Sequence, residues 1–296
     1  MKTQRLSRLL ALAALFTAAG TATAETYPQR PITLIVPYAA GGPTDQHLRA
    51  VADEAGKALG QPVVLDNRPG ASGTNGAAAL VRAAPDGYTL AVLPASVYRE
   101  PFINKVAFDP ARSFSYVVML SDYTFGLAVK ADAPWKTWQD FAADAARRPG
   151  KLKMVPFKGD AEVTNAILGG HIDAAPLSGV VVPHIDAGKM RYLVMLTPQR
   201  VKRYPQVPTL REQGVDAVID SPYGIAGPAG MDPARVKTVH DAFRKALASP
   251  AGLRVLEQLN QQANAMDPEQ YRRYALATTA REKERVARLR QRGLLD

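Results

Sequence analysis

The sequence predicts an α/β protein of two lobes with a cleft between them, each lobe a largely parallel sheet flanked by helices. Three observations carry this. Apolar runs of strand length alternate with stretches of helical spacing along most of the chain, the order that builds parallel sheets covered on both faces. The first three predicted strands all end in small or hydroxyl residues, at the sheet end where open parallel sheets bind ligands. No low-complexity linker separates the halves, which fits two lobes joined by more than one crossing strand.

Taken in order, the chain opens with a targeting pattern. Lys2, Arg5 and Arg8 form a basic head, Leu9 to Ala19 is an apolar segment too short to span a bilayer, and Ala22-Thr23-Ala24 fits a cleavage site. Residues 1–24 are read as a signal peptide cut after Ala24, so the mature chain is expected in the periplasm. Residues 25–124 and 224–296 are assigned to the first lobe and residues 125–223 to the second.

In the first lobe, Ile32 to Val36 reads as a buried strand that Pro37 ends. Gly41 and Gly42 supply a tight loop, Thr44 and Asp45 suit a helix N-cap, and Leu48, Val51, Ala52, Ala55 and Leu59 follow at helical spacing. A strand, a glycine loop and a helix N-terminus in that order make an anion site, because backbone N–H groups converge there and the helix dipole adds partial positive charge. On this stretch alone, a plain strand-to-helix turn fits equally well. Gly60 stops the helix and Pro62 to Leu65 forms a second strand. Asn67 to Gly76 is a second glycine-rich loop, which leads into a small-residue helix from Ala77 to Ala84. Pro85-Asp86-Gly87 is a turn, and Tyr88 to Leu93 is a third strand ending at Pro94-Ala95-Ser96.

The second lobe opens near Phe125. Strands are predicted over Phe125 to Lys130, Leu152 to Val155, Ile172 to Ala175 and Arg191 to Leu196. Between them lie helices over Thr137 to Arg147, Asp160 to Leu168 (capped by Asp160 and closed by Gly169-Gly170), Val180 to Ala187 and Thr209 to Gly214. Tyr223 to Gly227 returns the chain to the first lobe. Three helices follow, over Pro233 to Ala248, Ala251 to Gln258 and Pro268 to Arg292. In the last, Tyr271, Ala275, Thr278, Val286 and Leu289 mark an inner stripe beneath a face of mixed Glu and Arg.

Composition narrows the chemistry. There are no cysteines, which excludes disulfides, an amino-terminal lipid anchor, thiolate metal sites and a cysteine nucleophile. At 47% hydrophobic the chain can build a substantial core. The formal net charge of +10 is read mainly as a solvated surface; no aromatic-basic interleaving points to nucleic acid. His47, His171, His184 and His240 have no metal-binding spacing, and His47 reads as a helix-surface residue. No nucleophile elbow, phosphate loop or dinucleotide fingerprint occurs. No catalytic residue, metal or cofactor is assigned.

Several pieces together resemble one family: Val36-Pro37-Tyr38-Ala39-Ala40-Gly41-Gly42-Pro43-Thr44-Asp45, Asn67-Arg68-Pro69-Gly70-Ala71-Ser72-Gly73, Pro85-Asp86-Gly87-Tyr88, Val155-Pro156-Phe157-Lys158-Gly159, Leu168-Gly169-Gly170-His171-Ile172-Asp173 and Gly227-Pro228-Ala229-Gly230. The chain resembles the Bug (TctC-like) family of periplasmic solute-binding receptors over nearly all its mature length. The resemblance implies a two-lobed, type II-like periplasmic binding fold that holds a small carboxylate, amide or related solute. It also implies delivery to a tripartite membrane transporter or service in sensing, with lobe closure exposing a surface to the membrane partner. Two first-lobe loops, Tyr38 to Asp45 and Gly70 to Asn75, are implied to pinch a ligand carboxylate through backbone N–H groups and ordered waters. The chain departs from the family after Gly150. Only Lys151-Leu152-Lys153-Met154 stands where members carry a strand, a Gly/Ser/Thr-rich loop and a helix. That loss predicts a cleft lacking part of one wall and weakened or altered solute binding.

The expected ligand contacts are Tyr38, Gly41, Gly42, Thr44 and Asp45 on the first loop, Ser72, Gly73 and Asn75 on the second, and Ser96 on the third strand end. Ser178 contributes from the second lobe and Tyr223 packs against the solute. A hinge is expected near Tyr123-Thr124-Phe125 and Ser221-Pro222-Tyr223, and the state is a monomer. Two rivals stay open: a shortened relative without solute binding that acts as an interaction protein, and a hydrolase or isomerase working in the same cleft.

Overall fold

A computed structural model describes residues 26–148, 153, 155, 157, 160–219 and 221–295. The signal segment lies outside the described residues, as does the predicted strand over Leu152 to Val155 apart from Lys153 and Val155, which carry no regular structure.

The first strand, β1 (Ile32–Val36), matches its predicted bounds, and α1 (Pro43–Leu59) follows it. β1 is buried on both faces. Ile32, Leu34 and Val36 pack with Leu48, Val51 and Ala55 of α1, while Ile35 joins a second core with Ala77, Leu80 and Leu93. Each such aliphatic side chain contributes about 1.5–3 kcal/mol when fully buried. β2 (Val63–Asn67), α2 (Asn75–Leu80) and β3 (Thr89–Pro94) complete a run in which β2 and β3 flank β1, both parallel to it.

Beyond α3 (Ser96–Arg99), β4 (Phe114–Asp122) and β8 (Pro222–Pro228) extend this sheet, which has the order β2-β1-β3-β8-β4-β9 with β9 at Gln262–Ala263. The nine-residue β4 is not among the predicted strands, although Tyr116 to Leu120 is an unbroken apolar run that ends up wholly buried. The second sheet has the order β6-β5-β7, from β5 (Gly126–Lys130), β6 (Ala174–Leu177) and β7 (Met190–Met195). The helices on this side are α4 (Trp138–Arg147), α5 (Asp160–Leu168) and α6 (Val182–Asp186). Thr137 caps α4 in a capping box with Asp140.

The expectation of two largely parallel sheets needs correction. β8 runs antiparallel to both β3 and β4, and β5 runs antiparallel to both β6 and β7. These are the strands that carry the chain between the two sheets. Each enters its sheet where its two neighbours finish: Pro94 and Asp122, the last residues of β3 and β4, pair with Tyr223 and Pro222 of β8, and Leu177 and Met195, the last of β6 and β7, both pair with Gly126, the first of β5. A strand entering where its neighbours end must oppose them.

The chain closes with α7 (Pro233–Leu247), α8 (Pro250–Gln258) and α9 (Pro268–Gln291), each one residue from prediction at one or both ends. Asp232, Ser249 and Asp267 cap them, each ahead of a proline at the first helical position. Tyr271, Ala275, Thr278 and Val286 of α9 are buried as the stripe predicts.

Candidate functional site

The loop between β1 and α1 is built by one buried carboxylate. Asp45 was expected as a helix cap, but Gly42 holds that position and Asp45 is the third residue of α1. Its side chain, 1% exposed, accepts the Gly41 N–H at 2.8 Å, Arg49 Nε at 2.8 Å and Asn67 Nδ2 at 2.9 Å. Burial alone would raise its pKa; the hydrogen bonds from Arg49, Gly41 and Asn67 outweigh that and hold it below its ordinary value. Asn67 Nδ2 also donates to the Tyr38 carbonyl at 3.0 Å, so the end of β2 ties down the first loop. The Gly41 amide is thus engaged internally, and Gly41 serves conformation instead, at φ +83°. The amides of Thr44 and Asp45 have no acceptor among the described residues, as expected for a first helical turn. The Thr44 hydroxyl is bonded to the Tyr123 hydroxyl.

The second loop is a left-handed turn. Gly70, Ala71, Ser72 and Gly73 have φ of +119°, +47°, +51° and +86°. The Gly73 amide donates to the Gly70 carbonyl and the Thr74 amide to the Ala71 carbonyl, each at 2.9 Å, while the Asn75 side chain donates to the Pro69 carbonyl at 2.8 Å. Asn75 therefore shapes the loop, and the Ser72 amide is left without an acceptor among the described residues. A Cβ on Gly73 would lie 3.1 Å from Pro94 Cγ, 3.5 Å from Ser96 Oγ and 3.6 Å from the Tyr38 hydroxyl. Groups from β1's loop, the second loop and the end of β3 therefore converge on Gly73. Ser96 Oγ is buried there without a hydrogen-bond partner among the described residues. Burial first, then the charge of Asp160 from the second sheet's side, pushes the Tyr38 hydroxyl up to about 12, so it remains a neutral donor.

Two expected contacts are buried and bonded within the protein. Tyr223 is 0% exposed and packs in the first core. Its hydroxyl donates to Gln261 Oε1 at 2.9 Å and lies 2.6 Å from His47 Nδ1. With that proton on Gln261, His47 must carry its own proton on Nδ1. His47 is also 0% exposed, not on the helix surface, because α7 and α8 cover the face of α1 that carries it. Burial lowers its pKa from 6.5 to about 4, so it is neutral. Ser178, 1% exposed, donates its hydroxyl to Asp160 Oδ2 at 2.6 Å. Asp160, expected to cap α5, is the first described residue of that helix, and its side chain reaches across to Ser178.

Arg49, Asn67, His47, Gln261 and Asp160 were not expected in these roles. Only the Asp45–Arg49 pair had a sequence signal, its i,i+4 spacing. Trp135 packs against Phe141 and donates to Asp144 at 3.1 Å, a core role. Lys158 lies outside the described residues. Among the described residues, no group of His, Asp and Glu could hold a metal ion, and no helix is long and apolar enough to cross a membrane.

The fold and paired glycine loops define a class, the two-lobed α/β solute-binding proteins. The chain belongs to the tripartite tricarboxylate transporter family of receptors, matching it over residues 47–154 and 152–291, two pieces that meet where the sequence departs from the family pattern. It is 38% identical over 294 residues to a Cupriavidus necator protein described as "UPF0065 protein in gbd 5'region", covering 90% of each chain. Among solved structures it is similar to a Rhodopseudomonas palustris protein with adipate (TM-score 0.80, 25% identity, 88% of this chain and 97% of that one). It is also similar to MatC from the same organism with bound malate (TM-score 0.76, 26% identity, 88% and 100%). The family is one of substrate-binding receptors, and the hydrolase or isomerase reading falls with that membership.

Proposed function

We propose that this receptor works in the periplasm, binds a small carboxylate between its lobes, and presents it to a membrane transporter. The observation that carries this reading is the convergence at Gly73. There the unpartnered Ser96 hydroxyl and the neutral Tyr38 hydroxyl meet beside two loops with open amides at Thr44, Asp45 and Ser72. A carboxylate satisfies such donors without a basic residue, because hydrogen bonds from neutral donors in a partly desolvated site and a helix N-terminus stabilise the anion. Gly41, Gly42, Gly73 and Asn75 act by shaping the loops.

In this reading the lobes divide as 25–124 with 224–296 and 125–223. Closure bends the chain at residues 123–125 and 221–223, where the rings of Tyr123 and Tyr223 lie 5.1 Å apart and those of Tyr123 and Phe125 lie 5.9 Å apart. The shortened second lobe changes which solute fits. The malate and adipate in similar structures support the carboxylate class.

Isothermal titration of the purified chain against linear mono- and dicarboxylates tests the reading. Saturable binding is expected, and Ser96→Ala should weaken it about tenfold, the equivalent of about 1.4 kcal/mol for one hydrogen bond to a charged group. No binding across the whole panel would favour the ligand-free interaction protein.

A further inference from the structure

At the end of its sheet nearest the crossing between sheets, the second lobe carries a carboxylate, Asp160. Ser178 directly follows β6, whose last residue pairs with Gly126 just past the crossing between sheets, so Ser178 sits at the cleft end of the second sheet. Asp160, at the start of α5, is anchored there by the Ser178 hydroxyl at 2.6 Å, with the Ser178 amide at 3.4 Å from the same oxygen. The Tyr192 hydroxyl donates to the Ser178 carbonyl at 3.1 Å and fixes that strand end from behind. Oδ2 is thus occupied, while among the described residues Oδ1 has no hydrogen-bond partner and the carboxylate no ion pair. The charge of Asp160 reaches across the lobes: it contributes to raising the hydroxyls of Tyr38 and Tyr123 on the first lobe's side and of Tyr192 on its own.

We infer that Asp160 sets the solute class: a carboxylate whose far end carries a protonated amine, in preference to a dicarboxylate. A bound dianion would bring its second carboxylate towards Asp160, and like charges in a partly desolvated cleft repel strongly. An ammonium there gains a charge-assisted hydrogen bond to Oδ1. Malate and adipate, the solutes of the two similar structures, both carry two carboxylates, so this chain is expected to differ from those proteins in what it selects.

The inference rests on the receptor reading and is tested with length-matched probes. The wild-type chain is titrated with 4-aminobutanoate against succinate and with 6-aminohexanoate against adipate, and the series is repeated with Asp160→Asn, which keeps an acceptor for Ser178. The amino acid of at least one pair should bind wild type at least tenfold more tightly than its dicarboxylate. Asp160→Asn should weaken that amino acid tenfold or more and strengthen the matched dicarboxylate, a gain that misfolding cannot produce. Dicarboxylates binding wild type as tightly as the amino acids, or a selectivity unmoved by Asp160→Asn, would overturn this inference and leave the receptor reading intact. No binding of either series or of any other carboxylate would overturn both.

Discussion

Asp45 and His47 stand two positions apart on α1 and make the first loop sensitive to acid in the same direction. The folded-state pKa of Asp45 lies below its ordinary value, so its stabilising contribution is present above the unfolded pKa and is lost as pH falls through the folded one. His47 is buried neutral with a folded pKa of about 4 against 6.5, so the unfolded chain binds the proton first. Stability should therefore decline as pH drops from 6.5 towards 4, by on the order of 3 kcal/mol from this residue. Urea midpoints at pH 7 and pH 5 would show the fall, and His47→Gln should flatten it; an equally steep decline in the variant would discount His47. Asp45→Ala leaves the Gly41 amide and the Asn67 side chain without their acceptor. It should cost about 2–3 kcal/mol, read as a lower urea midpoint at unchanged slope.

At the scale of elements, neighbouring glycines in one loop should behave differently. Gly41 is left-handed at φ +83°, so Gly41→Ala strains the turn by about 1 kcal/mol or more although nothing crowds a Cβ there. Gly42 caps α1 at φ −71°, with its nearest Cβ neighbour at 3.4 Å, so Gly42→Ala should be close to neutral. Gly73→Ala combines φ +86° with a 3.1 Å approach to Pro94 and displaces Ser96 and Tyr38 from the convergence point. It should lose ligand affinity beyond its stability cost. Thermal melts with and without a bound carboxylate separate the three; equal effects at Gly41 and Gly42 would contradict the backbone argument.

At the scale of the whole molecule, the segment after β6 meets the chain beyond α8 at Gly179. It follows Ser178 and lies so close to the Leu259 carbonyl beyond α8 that a Cβ would overlap that group. Gly179→Ala must shift one of these two backbone segments, and with the lobes divided as proposed the shift pushes them apart. A larger radius of gyration by small-angle scattering and weaker solute binding are expected, and an unchanged radius would show that closure does not depend on this contact. The alternation of strands and helices, β1 to its exact ends, the stripe of α9 and both glycine loops were all legible in the sequence, because each follows from periodicity or turn chemistry within a few residues. The antiparallel course of β5 and β8 and the centring of Tyr223 among His47, Gln261 and Ser121 were not legible. Nor was the bond that ties Asp160 to Ser178. Those features join residues 18 to 176 positions apart, and local pattern cannot report them. Whether a polar side chain faces solvent, a solute or the core is decided by which distant element covers it, and only the packed molecule settles that.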